Sequence, residues 1–364
     1  MPQTTTTIKS PFKFLDAYDK EDKEIFFGRT QETLELYDRI YETNLVLLYG
    51  ASGTGKTSLI NCGLGNQFES TDWHPIFIRR KDNIMESLRH ELHDHAIKKL
   101  GKEQDEKTSI SKRIQSLYLD YFKPIYLIFD QFEELFIMGN KEEQATFFEM
   151  LYQLLEENLQ CKILISMREE YIAYLSEFEN IVPSLFDNRL RVEKMSAKNL
   201  QDVIVGTAEK FSIKLVNTPT QNVAEMIIDK LRDKHHQIDL ANLQVYLDRL
   251  YRLDVERHEA GKPTAITFDP ALIEKTGNLE DVMSLFLDEQ LDILSKEIKK
   301  DFPNVKEGIP LDILFELVTD NGTKRAVDLV DIKQRLQKAK NIDGRVVDHC
   351  IGRFKEMRIL RELS

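Results

Sequence analysis

The chain has 364 residues, of which 41% are hydrophobic and 31% charged, and its formal net charge is −12. This length predicts two or three domains, and this composition excludes a disordered chain. An acidic chain has no overall electrostatic attraction to phosphate backbones, so nucleic acid is not the expected partner, although a local basic face stays open.

The ends and the cysteines bear on the compartment. No apolar run approaches the roughly 20 residues that span a bilayer, and "MPQTTTTIKS" lacks the apolar segment of a signal peptide. Cys62, Cys161 and Cys350 are widely spaced, which indicates thiols in a reducing compartment rather than a disulfide or zinc framework. We therefore expect a cytoplasmic protein with no membrane segment.

Helices and strands alternate over the first 196 residues, after a polar lead-in at 1–24. Helices are predicted at 30–42, 83–100, 111–121 and 141–159. Continuous apolar runs predict strands at 44–50, 74–80, 123–130 and 161–168, with a weaker strand at 190–195. Such runs are typical of strands buried on both faces, so this half of the chain predicts a doubly wound α/β parallel sheet.

After Ser196 the pattern becomes helical. Helices are predicted at 197–211, 219–235, 239–258 and 279–300, with a boundary near 261–270 and no strand before the tail. From about residue 309 the order is three helices and a short apolar strand near "RILREL", which fits a winged helix.

The segment "YGASGTGKTSLI" (49–60) carries the strongest motif. Its G-x-x-x-x-G-K-T spacing lies between a buried strand and an apolar helix, the context of a phosphate-binding P-loop. Glycine lets the amides converge, and the helix N-terminus adds positive partial charge. The alternative, a plain glycine turn, is disfavoured by this context. The expected phosphate-binding residues are Gly50, Ser52, Gly53, Thr54, Gly55, Lys56, Thr57 and Ser58.

Within this loop, Lys56 is expected to reach the terminal phosphates and the Thr57 hydroxyl to bind Mg²⁺. The strand at 123–130 ends in Asp130, which would supply the second Mg²⁺ ligand at the same sheet edge. Glu133 and Glu134 follow, and a carboxylate there could polarise the attacking water. Alternatively, these two acids only begin a helix, where negative charge is favoured in any case.

Two arginines complete the predicted site. The strand at 161–168 is expected between the P-loop strand and the Asp130 strand, as in additional-strand P-loop ATPases, which would place Arg168 at its end facing the γ-phosphate. The equally favoured alternative is a surface arginine paired with Glu169 or Glu170. Gly28 and Arg29 in "IFFGRTQE" could close over the base of the nucleotide. Alternatively, this segment forms only a hydrophobic staple onto the first helix.

Taken together, "FFGRTQE", "GASGTGKTSLI", "FDQFEELF" and "ISMREEY" resemble the STAND class of P-loop ATPases, in particular the bacterial conflict-system STAND proteins related to NACHT switches. The resemblance implies that Lys56 and Thr57 bind phosphate and Mg²⁺, and that Asp130 binds Mg²⁺. It favours Glu134 over Glu133 for hydrolysis, matches Arg168 to the sensor arginine, and places Gly28 and Arg29 beside adenine.

The predicted architecture therefore has five parts. It comprises a lead-in, an AAA+/STAND-like P-loop nucleotide-binding domain, an all-α helical domain, a helical connector and a C-terminal winged helix, at 1–24, 25–196, 197–262, 263–308 and 309–364. "IDLANLQV" has Ala241 where many relatives have a base-contacting proline. "RILRELS" stops before the His-Asp pair that closes the winged helix in relatives, so a truncated chain is expected.

The resemblance implies a slow ATPase that works as a switch. ADP would hold a closed monomer, and ATP would open it for self-association, in a signalling or antiviral defence protein whose effector or sensor region lies outside this chain. The main alternative is an AAA+-like loader of nucleic-acid complexes, with Arg189 or Arg191 as an arginine finger and the winged helix on DNA. A nucleotide-bound scaffold without activity is the third hypothesis.

Overall fold

A computed structural model describes the protein. The described residues are 10–13, 16–97, 108–157, 159–232, 238–257, 265–303, 305–306, 308–318, 327–356 and 360. The chain forms two compact units that divide between Thr276 and Gly277. The predicted boundaries at 196, 262 and 308 stay a prediction.

The first unit is built on a five-stranded parallel sheet. Its strands are β1 (Leu45–Gly50), β2 (His74–Ile78), β3 (Ile125–Phe129), β4 (Cys161–Arg168) and β5 (Arg189–Arg191). The spatial order is β2-β3-β4-β1-β5, so β4 lies between the P-loop strand and the strand that leads into Asp130. This arrangement confirms the predicted doubly wound sheet and its additional strand.

Both faces of the sheet are covered. Along β1, Leu47 packs with the helices on one face, while Val46 and Leu48 pack with those on the other. Alternate residues of a strand point to opposite faces, so a strand buried on both sides must be apolar throughout. The helices around the sheet are Thr30–Glu42, Ile84–His95, Ile110–Tyr121 and Lys141–Glu156.

Shorter helical turns join these elements. The turn that follows the P-loop begins as an α-helix at Lys56–Ser58, widens to a π-helix at Leu59–Gly63, and tightens to a 3₁₀ turn at Leu64–Asn66. The remaining short helices are Lys20–Ile25, Glu134–Ile137 and Glu169–Phe178.

The helical region of the first unit contains Ala197–Lys210, Val223–Leu231, Leu240–Arg257 and Pro270–Thr276. The prediction that residues 197–262 are all-α was wrong. Lys214–Leu215 (β6) and Thr267–Phe268 (β7) pair in parallel as a second, two-stranded sheet. Strands of two residues are too short to show an alternating pattern, and this pairing depends on the helices between them bringing distant segments together.

The second unit contains Leu279–Asp301, Ile309–Phe315, Leu329–Lys340 and Gly344–Glu356. These helices share one apolar core, to which Leu294, Ile313, Leu336 and Val347 contribute. The predicted strand at 358–363 lies outside the described residues except for Leu360. Among the described residues, no helix is both long and apolar enough to cross a membrane.

Candidate nucleotide site

The predicted P-loop connects the end of β1 to the helix that begins at Lys56. Gly53 and Gly55 have φ angles of +75° and +84°, which side chains with a Cβ rarely adopt. These left-handed residues turn the backbone of the loop so that its amides and the helix N-terminus can meet one anion. The turn thus has the backbone geometry that a phosphate cradle requires.

Lys56 lies inside this turn. Its ammonium group donates to the carbonyl oxygens of Gly50 at 2.8 Å and Ala51 at 2.9 Å. Burial lowers the pKa of Lys56, while the carboxylates of Glu133 and Asp130 act in the opposite direction. The cation is therefore held at the loop, next to the two acids that the sequence predicted.

Asp130 follows β3 and is buried, with 6% of its surface exposed. The Thr57 hydroxyl lies 3.2 Å from its Oδ2 and 3.4 Å from its Oδ1. Two oxygens on adjacent corners of a Mg²⁺ octahedron are separated by about 3 Å, so this donor pair fits Mg²⁺. Thr57 and Asp130 are the residues that would hold the metal.

Two further side chains contact Asp130, and sequence reasoning missed both. The Ser166 hydroxyl donates to Oδ1 at 3.2 Å, and Arg79 donates to Oδ2 at 3.1 Å through Nη2. Arg79 follows β2 and Ser166 lies in β4, the two strands on either side of β3. The predicted strand order would have put both near Asp130, but Arg79 belongs to no recognised motif, and in "ISMREEY" only Arg168 was singled out, not Ser166.

A strained turn directs the chain after Asp130. Gln131 has a φ of +60°, uncommon for a residue with a side chain, and the Phe132 amide donates to the Ser166 carbonyl at 2.9 Å. The turn brings Glu133 and Glu134 back toward the sheet edge, where both are buried. Strain of this kind, next to a buried acid, is typical of a functional site.

Glu133 holds Arg168 at two points. Its Oε1 lies 3.1 Å from the Arg168 guanidinium, and its Oε2 accepts from the Arg168 amide at 3.1 Å. Arg168 is opposite Gly50 in the register of β4 and β1, which places it beside the P-loop. Its predicted alternative partner Glu169 instead pairs with Arg191, so the arginine is fixed next to the site.

A family model, "Novel STAND NTPase 1", matches residues 11–361. The chain belongs to the novel STAND NTPase 1 family. This confirms the predicted STAND-class P-loop NTPase, and a search of curated proteins finds no significant match.

Three solved structures are similar to this novel STAND NTPase, and the one with a TM-score above 0.5 shares its fold. The Aeropyrum pernix ORC2 protein in its ADPNP–ADP complexes has a TM-score of 0.51 and 12% identity, over 91% of this chain and 95% of that one. A Walker-type ATPase of Pyrococcus abyssi has a TM-score of 0.49 and 14% identity, over 94% and 92%. The Aeropyrum pernix ORC1 protein in complex with DNA has a TM-score of 0.49 and 15% identity, over 92% and 85%.

In this novel STAND NTPase, Arg29 braces the P-loop through hydrogen bonds to backbone carbonyls. Its guanidinium is buried, pairs with Glu32, and donates through Nη2 to the carbonyls of Thr54 and Glu193, each at 2.8 Å. Gly28 packs against the helix Ala197–Lys210 at Asn199. The predicted contact of this Gly-Arg pair with a base stays a prediction; the observed partners of Arg29 are backbone carbonyls.

The remaining loop residues have mixed surroundings. Ser52 is exposed, whereas the Thr54 hydroxyl donates to the Ala51 carbonyl at 3.0 Å within the turn. The Ser58 hydroxyl accepts from the Tyr18 amide at 3.1 Å. The lead-in segment is thereby attached to the first turn of the P-loop helix.

The helical region also reaches the P-loop, which the sequence did not predict. A Cβ on Gly53 would lie 2.3 Å from the Asp239 carboxylate, and one on Gly55 would lie 3.3 Å from Leu240. Asp239 precedes the helix Leu240–Arg257, and its Oδ1 accepts from the Ala241 amide at 2.8 Å. A helix start with a negative charge therefore lies directly against the phosphate-binding turn.

Proposed function

We propose that the chain binds ATP with Mg²⁺ and hydrolyses it slowly. The observation that carries this proposal is the Thr57 hydroxyl 3.2 Å from the buried Asp130 carboxylate, beside a glycine turn shaped for phosphate. Mg²⁺ held there would neutralise phosphate charge and polarise the bond that breaks. Lys56, inside the turn, would neutralise the terminal phosphate oxygens.

The two glutamates would have different tasks. Glu133 is already engaged by the backbone and the side chain of Arg168, so it acts as a positioning residue. Glu134 is the buried neighbour at the start of its short helix, which supports it as the carboxylate that polarises the attacking water. The family match supports NTP hydrolysis, and the choice of ATP over GTP is part of the proposal.

The second part of the proposal is a switch between an ADP-closed and an ATP-open form. Arg168 beside the P-loop could report the γ-phosphate, and Asp239 and Leu240 against the loop could pass the change to the helical region. Moving the population from closed to open requires ATP to prefer the open form by about 10⁴-fold, or ~5.5 kcal/mol. Charge-assisted contacts to Lys56 and Arg168 are strong enough to contribute to that preference.

We further propose that residues 309–364 form a winged helix, and that the ADP form is the closed form of the switch. The order of Ile309–Phe315, Leu329–Lys340 and Gly344–Glu356 around one core supports this. ATP would then expose surfaces for self-association. A role in bacterial signalling or antiviral defence rests on the family resemblance. Viral infection of cells that carry either the parent or its Lys56→Ala variant would test the defence role.

The experiment compares the parent with Lys56→Ala and with Lys141→Ala, whose exposed ammonium pairs with Glu177 on the surface. The parent and Lys141→Ala should bind a fluorescent ATP analogue, with competition by ATP stronger than by GTP, whereas Lys56→Ala should not bind. Binding of the analogue by Lys56→Ala as tight as by the parent would refute the proposed nucleotide site.

Light scattering then tests the switch. The parent should be a monomer with ADP and larger with a non-hydrolysable ATP analogue, and its ATP turnover should be slow. The same mass in both nucleotides would overturn the switch while leaving the nucleotide site intact. Fast turnover that DNA stimulates would support the loader instead.

A further inference from the structure

Arg79 stands level with Asp130 at the carboxyl edge of the sheet. β2 and β3 run parallel with Ile78 opposite Phe129, so the next residues on the two strands, Arg79 and Asp130, are neighbours. The Asp130 amide donates to the Ile78 carbonyl at 3.0 Å and fixes this register. The Arg79–Asp130 contact is therefore set by strand pairing rather than by a mobile loop.

The backbone beyond Arg79 is also held in place. Arg80 turns the other way and forms a buried ion pair with Glu143 at 2.8 Å, and the Ser87 hydroxyl donates to the Arg80 carbonyl at 2.7 Å. The Arg79 side chain itself is 49% exposed. The backbone of Arg79 is thus held in place, while its side chain has enough room in solvent to move away from Asp130.

The two sides of the Asp130 carboxylate have different partners. Oδ1 accepts from Ser166, whereas Oδ2 lies 3.2 Å from the Thr57 hydroxyl and 3.1 Å from Arg79. Oδ2 is thus the oxygen closest to the other proposed Mg²⁺ ligand, and a guanidinium already contacts it. A divalent cation and a guanidinium on one oxygen repel each other, so Mg²⁺ and Arg79 cannot both hold Oδ2 at full strength.

We propose that Arg79 competes with Mg²⁺ for Asp130 and sets the Mg²⁺ concentration at which the site fills. The inference rests on the proposed nucleotide site. A buried carboxylate needs a positive partner, and Arg79 supplies one that is always protonated and half in solvent. The metal binds Asp130 only after the arginine has moved, so the site fills at a higher Mg²⁺ concentration than its ligands alone would require.

The test compares Arg79→Gln with the parent and with Lys81→Gln. Lys81 lies two residues away, pairs with Glu91 at the surface, and its replacement removes the same charge. Binding of Mn²⁺, as a spectroscopic substitute for Mg²⁺, is titrated by electron paramagnetic resonance with a saturating non-hydrolysable ATP analogue. The rise in melting temperature with Mg²⁺ is recorded for the same variants, and Arg79→Ala serves as a second variant.

Both Arg79 variants should reach half-saturation at an about fivefold lower metal concentration, the effect expected from losing one half-exposed ion pair. Lys81→Gln should match the parent. Unchanged or weaker metal binding in the Arg79 variants, or an equal gain in Lys81→Gln, would overturn the inference while the nucleotide site stands. A parent that binds no nucleotide at any metal concentration would overturn the proposed function and this inference with it.

Discussion

Arg29 offers a direct test of whether the Gly-Arg segment braces the P-loop. The Arg29→Ala substitution would remove two hydrogen bonds from a buried guanidinium, one to the Thr54 carbonyl inside the loop and one to the Glu193 carbonyl, each 2.8 Å long. It would also leave Glu32 without the cation that it pairs with in the structure. Arg29 itself is only 3% exposed.

The expected cost can be worked out from these contacts. Hydrogen bonds to a charged group contribute about 1.5–3 kcal/mol each, so two of them contribute roughly 3–6 kcal/mol. The Arg29 Nε is buried without a hydrogen-bond partner among the described residues, which offsets about 1–3 kcal/mol of that gain. We therefore expect Arg29→Ala to lower the free energy of unfolding by about 3 kcal/mol.

Trp73 provides the assay. It is the single tryptophan of the chain, lies in the core of the same unit, and stacks on Phe68 with ring centroids 4.5 Å apart. Its fluorescence in a urea titration reports the unfolding of the unit that contains Arg29. The matched control is Arg232→Ala, which removes an exposed arginine paired with Asp229 and should cost less than about 1 kcal/mol.

The result would also separate two hypotheses for Arg29. A brace predicts that Arg29→Ala loses both stability and nucleotide affinity, because the loop carbonyl of Thr54 loses its donor. A direct base contact predicts lost affinity with stability close to that of Arg232→Ala. A stability loss no larger than that of the control would refute the brace.

Three further outcomes are expected. Glu133→Gln should loosen Arg168 and narrow the ratio of ATP to ADP affinity, measured by competition; an unchanged ratio would remove Glu133 as its positioning residue. Asp239→Asn keeps a helix-capping oxygen but removes a negative charge beside Gly53, so nucleotide should bind about threefold tighter at low salt, and equal affinity would contradict this. Burial lowers the pKa of His74 to about 4, so as the pH falls the unfolded chain binds this proton before the folded chain does. The free energy of unfolding should therefore be highest above pH 6.5 and fall by roughly 1–2 kcal/mol toward pH 4. In urea titrations His74→Phe should flatten this pH dependence, and an unchanged pH dependence in the variant would refute the assignment.

Much of the first unit was predictable because its signals are local. Each central strand is an apolar run. In the P-loop, the motif glycine Gly55 and the additional glycine Gly53 stand where the backbone turns with positive φ. Asp130 could be placed at the sheet edge because parallel strands bring their carboxyl ends together. The helical region was predicted less well, because the pairing of β6 with β7 has no local pattern.

The sequence determined which strands form the five-stranded sheet and which motif residues meet at one edge of it. Only the tertiary structure decided their partners: Arg168 pairs with Glu133 rather than with Glu169 or Glu170, and Arg29 binds the Thr54 carbonyl. Arg79 reaches Asp130 for the same kind of reason. Contacts between side chains far apart in the chain depend on strand order, register and rotamer, and these follow from how the whole unit packs rather than from any single segment.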